Sequence, residues 1–218
     1  MDILISGLLL GGTYALMAMG LNLQYGVARI MNLANGEMLV LGGLAAFWLF
    51  TVSALSPILT AVIIAPLAFA GNWLLYRYLL LPLVRRAKTQ GQLEVDSILA
   101  TFGMSFALVG IMVSLHGEYF TYSYLATPFS VLGSTVALNR LVAFGLAVLI
   151  GGALYYWLNH TYKGTAVRAV SVSTEAAGLV GINVDKVSAL DLALGGAVTA
   201  MGGALISAFM TLDASVGV

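Results

Sequence analysis

Six stretches of this chain are apolar for about the thickness of a bilayer, and nothing else in it limits the fold as strongly. They cover about 3–24, 37–53, 58–77, 97–116, 140–158 and 188–211. A membrane-spanning helix needs roughly 20 such residues, and the second run, at about 17, is at the short limit. Runs of this length are unlike the ~10-residue alternation of a membrane barrel. Composition points the same way. Charged residues make up 8% of 218 and hydrophobic residues 61%, where a soluble domain carries about 25% charged; the mean hydropathy is +1.00. The expected fold class is all-α, a polytopic transmembrane helix bundle of about six spans, forming a single domain over 1–218.

The N-terminus has Asp2 where a signal peptide has a basic region, and its apolar run continues past signal-peptide length, so it reads as a retained span. A net charge of zero leaves no electrostatic footprint for nucleic acid. The chain has no cysteine, which excludes disulfides, Cys-ligated zinc and thiol catalysis.

The basic residues fix an expected orientation. Arg29 lies between the first and second runs. Arg77, Arg85, Arg86 and Lys88 lie between the third and fourth, and Lys163, Arg168 and Lys186 flank the loop between the fifth and sixth. The remaining connections hold only Arg140. Alternate loops should therefore be cytoplasmic, with the N-terminus outside. The stretch 117–139 has no Lys or Arg and is rich in Tyr, Thr and Ser. It reads as an outside loop, with room for a short interfacial helix. Tyr119, Tyr122 and Tyr124 are expected at headgroup level with wet hydroxyls, and Trp73, Tyr76 and Tyr78 at the other surface.

Small residues recur at spacings of four, which lets helix backbones approach closely in lipid. Gly7 and Gly11 form one pair, and Gly195, Thr199 and Gly203 a longer series. Polar residues crowd 22–37, which reads NLQYGVARIMNLANGE. Asn22, Gln24, Asn32, Asn35 and Glu37 are candidates to line a translocation pathway. Two readings of this stretch stand side by side: a polar cytoplasmic turn, or a broken helix whose open backbone lines a cavity.

Between the last two spans, 159–187 reads NHTYKGTAVRAVSVSTEAAGLVGINVDKV. Ser173 or Thr174 can cap a short helix. Glu175 then falls in its first turn, where the dipole favours a negative charge. Ala176, Ala177, Leu179 and Val180 give it a small, partly apolar face, and Gly181 is placed to end it in the left-handed conformation. Such a helix either docks on a separate protein or folds back on the chain's own spans.

This loop resembles the cytoplasmic coupling segment of ABC-importer permeases. The chain as a whole resembles the LivH/LivM-type permeases of branched-chain amino acid uptake systems. Four pieces carry the likeness, in family order: GLLLGGTYALMAMGLNLQYG (7–26), RIMNLANGEMLVLGG (29–43), LATFGMSFAL (99–108) and KGTAVRAVSVSTEAAGLVGINVDKVSAL (163–190). The resemblance implies a permease subunit in the inner membrane, paired with a second permease as a homo- or heterodimer. It also implies two cytoplasmic ATPase subunits carrying ATP and magnesium, and a periplasmic substrate-binding protein. By the same likeness the coupling contacts map onto Arg168, Thr174, Glu175, Ala176, Ala177, Gly178, Leu179 and Gly181, and the pathway-lining break onto 22–37. Two departures stand out. Family members usually carry His where Asn35 stands, and they continue for several dozen residues beyond DASVGV, so the family bundle is expected to be truncated here.

The chain has no G-x-x-x-x-G-K-[ST] sequence, so energy for transport would come from a partner and no cofactor is expected on this chain. The alternatives are a permease for urea or short amides, and a secondary transporter or channel without an ATPase. The latter needs a buried ionisable group, whereas Glu37, Asp191 and Asp213 sit near span ends, where an interfacial placement is expected. His116 and His160 also fall at span ends, so no catalytic residue and no metal site is expected.

Overall fold

The structure, a computed structural model, describes residues 2–116, 119–131 and 134–213. Gly117, Glu118, Leu132 and Gly133 of the Tyr-rich loop and most of the terminal DASVGV lie outside the described residues, as do the side chains of Asp2, His116, Val131 and Ser134.

The apolar runs are helices. They are α1 (Asp2–Ala28), α2 (Asn35–Ser53), α3 (Pro57–Leu75), α4 (Leu81–Arg86), α5 (Gln90–His116), α6 (Leu138–His160) and α9 (Val184–Ile206). Two shorter helices, α7 (Tyr162–Val172) and α8 (Thr174–Leu179), stand between α6 and α9. A π-helical turn, Tyr76–Leu80, joins α3 to α4, so 57–86 is one continuous span. Among the described residues, six helices are long and apolar enough to cross a membrane. The protein is therefore an all-α polytopic bundle, and the predicted spans hold with shifted ends.

Helix ends follow local chemistry. Ser56 accepts a hydrogen bond from the Leu59 N–H at 3.3 Å and Pro57 opens α3; proline suits a first turn because its missing N–H has no helical partner there. At the other end of α2, Ala54 turns the chain in the left-handed region (φ 52°).

Helix α9 is the centre of the bundle. Of its apolar window 83% is buried, against 17% for α5 and for α6. Small residues make this possible. Gly195 meets the backbone of Gly20 on α1, and Gly203 meets the backbone of Leu39 on α2. Thr199 turns its hydroxyl inward to the Gly195 carbonyl at 3.0 Å. The pair Gly7 and Gly11 behaves differently: a Cβ at either position would meet nothing within 4 Å. Among the described residues it packs against no other helix, because α1 turns that stripe outward.

The Tyr-rich loop contains strands rather than an interfacial helix: β1 (Tyr119–Phe120), β2 (Pro128–Val131), β3 (Ser134–Ala137) and, after α9, β4 (Leu212–Asp213). Strands β2 and β3 form an antiparallel hairpin, and β1 pairs with β4. Tyr122 is not at a wet interface. It stacks on Phe50 (centroids 5.0 Å apart) and shares a 2.9 Å hydrogen bond with Ser207. Burial raises its phenol above the ordinary value, against a smaller opposing effect of that bond. At the basic end, Tyr76 is buried in a cluster with Ile30, Leu80, Leu93 and Leu192, whereas Tyr78 is exposed. The π turn rotates Tyr76 inward. Asp191 also departs from the interfacial placement expected for it. It is 0% exposed on α9, and neither carboxylate oxygen has a hydrogen-bond partner among the described residues.

Candidate functional site: a broken segment and the helix beside it

Helix α1 has 27 residues and α2 has 19, or about 40 Å and 28 Å at 1.5 Å per residue. Residues 29–34 join them outside any helix. Arg29, whose N–H still bonds the Tyr25 carbonyl at 3.1 Å, opens this connection in the left-handed region (φ 50°).

Irregular backbone in a membrane protein persists where its polar groups are satisfied, and several of them find partners here. Thr101 on α5 accepts from the Leu33 N–H at 3.1 Å, and its hydroxyl lies 3.3 Å from the Met31 carbonyl. The Ala34 N–H donates to Asn32 Oδ1 at 3.1 Å, and the Asn35 N–H to the Asn32 carbonyl at 3.2 Å. Residues 22–37 thus comprise the end of α1, a non-helical connection at 29–34 and the start of α2, with a polar core.

That core is a directional chain of amides. Asn32 Nδ2 donates to Gln24 Oε1 (3.0 Å), and Gln24 Nε2 donates to Asn35 Oδ1 (2.9 Å). Two residues on, Glu37 is 0% exposed and accepts a 2.9 Å hydrogen bond from the Ser105 hydroxyl. Gln24, Asn32 and Asn35 are thus brought together, while Glu37, two residues beyond Asn35 on α2, joins Ser105 on α5 instead. Asn22 is not: it lies two residues from Gln24 on α1, so it faces away and is exposed.

Thr101 and Ser105 were not singled out from the sequence. With Ser97 they form an i, i+4, i+8 series on α5, and all three are buried. That spacing puts them on one face and was the signal available.

The loop 159–187 is more ordered than a connector. Thr161 caps α7 by accepting from the Gly164 N–H at 3.0 Å. Ser173 caps α8 by accepting from the Ala176 N–H at 3.2 Å. Gly181 has φ +83°, a conformation glycine adopts without the Cβ penalty, and the Ile182 N–H closes the turn on the Ala177 carbonyl at 3.0 Å. Helix α8 faces two ways. Ala177 is buried with Val27, Val167 and Val170, while Thr174, Glu175, Ala176, Gly178 and Gly181 are exposed. Leu179 is 89% exposed and Val180 76%. Arg168, exposed on α7, donates to Asn159 at 3.2 Å.

The two regions touch. A crevice of about 270 Å³ is lined by Val27, Ala28 and Arg29 on one side and by Val170–Glu175 on the other. The first residue of the break and the first turn of α8 therefore flank one space.

Comparison with known proteins gives this arrangement a context. The chain is 26% identical over 219 residues to the high-affinity branched-chain amino acid transport system permease protein LivH of Escherichia coli K12, covering 94% of this chain and 69% of that protein. It is 24% identical to BraD of Pseudomonas aeruginosa, a permease protein of the same description, covering 93% and 69%. A probable LivH of Methanocaldococcus jannaschii is 27% identical over 88% of this chain and 61% of its own length. No solved structure matches. Residues 3–218 match the family described as the permease component of branched-chain amino acid transport systems, and the chain belongs to that family.

Proposed function

We propose that this chain is the membrane-spanning subunit of an ATP-driven importer for branched-chain or other small amino acids, working by alternating access. In this reading it is one domain. It sits in the inner membrane with its N-terminus outside, pairs with a second permease, and receives substrate from a binding protein on the outer face. Two cytoplasmic ATPase subunits hold ATP and magnesium, and this chain performs no hydrolysis itself.

The observation that carries the reading is the shared crevice. Helix α8 offers Leu179 and Val180 to a partner, while Ala177 ties it to Val27 at the end of α1. Exposed apolar side chains on a capped helix are an unfavourable surface in water and a favourable one under a partner. A push on α8 moves Ser173–Glu175 against Arg29, where the broken segment begins. Gln24, Asn32, Asn35 and Glu37 then line the path that opens and closes. A two-position element of this kind is how a local displacement becomes a change of access.

The test is Glu175→Lys. It reverses the charge in the first turn of an exposed helix and leaves Ala177 in place. Uptake of labelled leucine is expected to fall to background while the amount of protein in the membrane stays normal. Normal uptake by the variant would refute the coupling role.

A further inference from the structure

We propose that the cavity between the π turn, α4 and the start of α9 binds an anionic phospholipid, with Arg77 and Lys186 holding its phosphate. The site is independent of the importer reading. It needs only that the bundle spans a membrane.

Depth comes first. The third span, 57–86, has 30 residues, about 45 Å at 1.5 Å per residue, against a hydrocarbon core of roughly 30 Å. About 20 residues cross that core, so a count from Pro57 reaches its far boundary near Arg77. The rest of the span, with Arg85 and Arg86, then lies among headgroups. Trp73 and Tyr78 flank the crossing point, the level at which amphipathic rings settle.

The cavity opens at that level. It measures about 440 Å³, within the ~300–1,000 Å³ of small-molecule sites. Three cations line it: Arg77 on the π turn, Arg85 on α4 and Lys186 in the first turn of α9. One carboxylate, Asp185, stands among them, and Arg85 engages it at 3.0 Å. Arg77 and Lys186 are exposed, and neither has an ion-pair partner among the described residues. The wall thus carries two positive charges that no carboxylate among the described residues offsets. Asn183 adds a donor: its Oδ1 already accepts from the Lys186 N–H at 3.1 Å, which leaves the side-chain NH₂ free. A phosphate, which only accepts hydrogen bonds, suits such a wall.

The other wall is apolar. Trp73, Tyr76, Leu81 and Ala189 line the same space. Tyr78 also lines it and is 74% exposed, so the cavity is not closed off from the bilayer. A soluble anion uses the cations and leaves this wall wet. A phospholipid uses both, with its phosphate on the cations and its glycerol and first methylenes on Trp73 and Leu81. Basic pockets beside membrane helices at headgroup depth hold anionic lipids in this way.

The experiment reads contact at Trp73. The full chain carries Trp48→Phe and Trp157→Phe, which leaves Trp73 as its one tryptophan, and is placed in phosphatidylcholine bilayers. Phosphatidylglycerol or phosphatidylcholine with brominated acyl chains is then titrated in, because bromine quenches tryptophan on contact. Two uncompensated cations, at about fivefold each, should make brominated phosphatidylglycerol quench at ~20- to 30-fold lower mole fraction. Arg77→Gln and Lys186→Gln should each remove about fivefold of this preference. Arg77→Lys should keep it, and Arg140→Gln, in a separate cavity with Ile3, should leave it unchanged. Equal quenching by the two lipids overturns the site, as does a full preference in the Arg77→Gln, Lys186→Gln double variant. Excess inorganic phosphate at constant ionic strength should not displace the lipid. Displacement overturns the lipid assignment and gives the cations to a soluble anion. If the tryptophan substitutions prevent insertion, spin-labelled forms of both lipids, counted as motionally restricted lipid on the wild-type chain, repeat the comparison.

Discussion

The contact between α2 and α9 can be tested by adding one methyl group. A Cβ at Gly203 would lie against the Leu39 carbonyl oxygen and 2.6 Å from its carbonyl carbon, where ordinary contact begins at 3.4 Å. The obstacle is backbone, so no side-chain rotation relieves it. Helix α9 cannot retreat, because its other faces are packed on α1 and α3: Gly195 already touches Gly20, and Gly196 touches Asn72. Gly203→Ala should therefore carry the cost of an overpacked core, typically about 1–3 kcal/mol, or a fold-change in the folded ratio of roughly 5 to 150. The control is Gly11→Ala, which meets nothing within 4 Å and should gain the helix preference of alanine, about 0.5–1 kcal/mol. The assay is equilibrium unfolding in micelles, with both variants read against wild type. If Gly203→Ala is as stable as Gly11→Ala, α9 is not held against α2 as described.

Two further outcomes follow from buried polar groups. Asp191→Leu keeps the branched shape while removing two oxygens that lack partners among the described residues; stability in the same assay should rise by about 1–3 kcal/mol, and a fall would show that the carboxyl group is engaged. Tyr122→Phe removes the bond to Ser207 and should cost about 0.5–1.5 kcal/mol. Because burial raises the Tyr122 phenol above 10.0, wild type keeps this contribution below pH 10 and loses it only as pH climbs through the raised value. Tyr122→Phe should lack that alkaline loss, and an identical loss in both proteins would assign it elsewhere.

The spans were legible because apolar length is a local property and lipid imposes it on each segment separately. The caps of α8 were legible for a similar reason: Ser173, Glu175 and Gly181 act within one or two turns. What escaped depends on which way a helix is rotated. Gly7 and Gly11 have the same spacing as Gly195, Thr199 and Gly203, yet only the second series faces other helices. Asn22 and Gln24 are equally polar, and only Gln24 turns toward α2. Asp191 looked interfacial because it lies in the second turn of its helix, but α9 is surrounded along most of its length. Helix α7 was missed because its apolar positions Val167 and Val170 are few and its neighbours are polar. Strand β1 depends on a partner distant in sequence, β4.

The π turn at Tyr76–Leu80 divides the third span into two screws of different phase. Each residue of an α-helix advances the chain by ~1.5 Å and turns it by ~100°, and the wider turn takes in one residue more than that count allows. Tyr76 and Leu80 bracket the wide turn and both point inward, while everything beyond is set on a new bearing. On that bearing Arg85 meets Asp185 at the start of α9, at 3.0 Å. With one residue fewer, the same sequence would aim a neighbour at Asp185 and swing the guanidinium about a quarter-turn away. The extra residue thus acts as a phase shifter, fixing which cation of the basic cluster pairs with the start of the central helix.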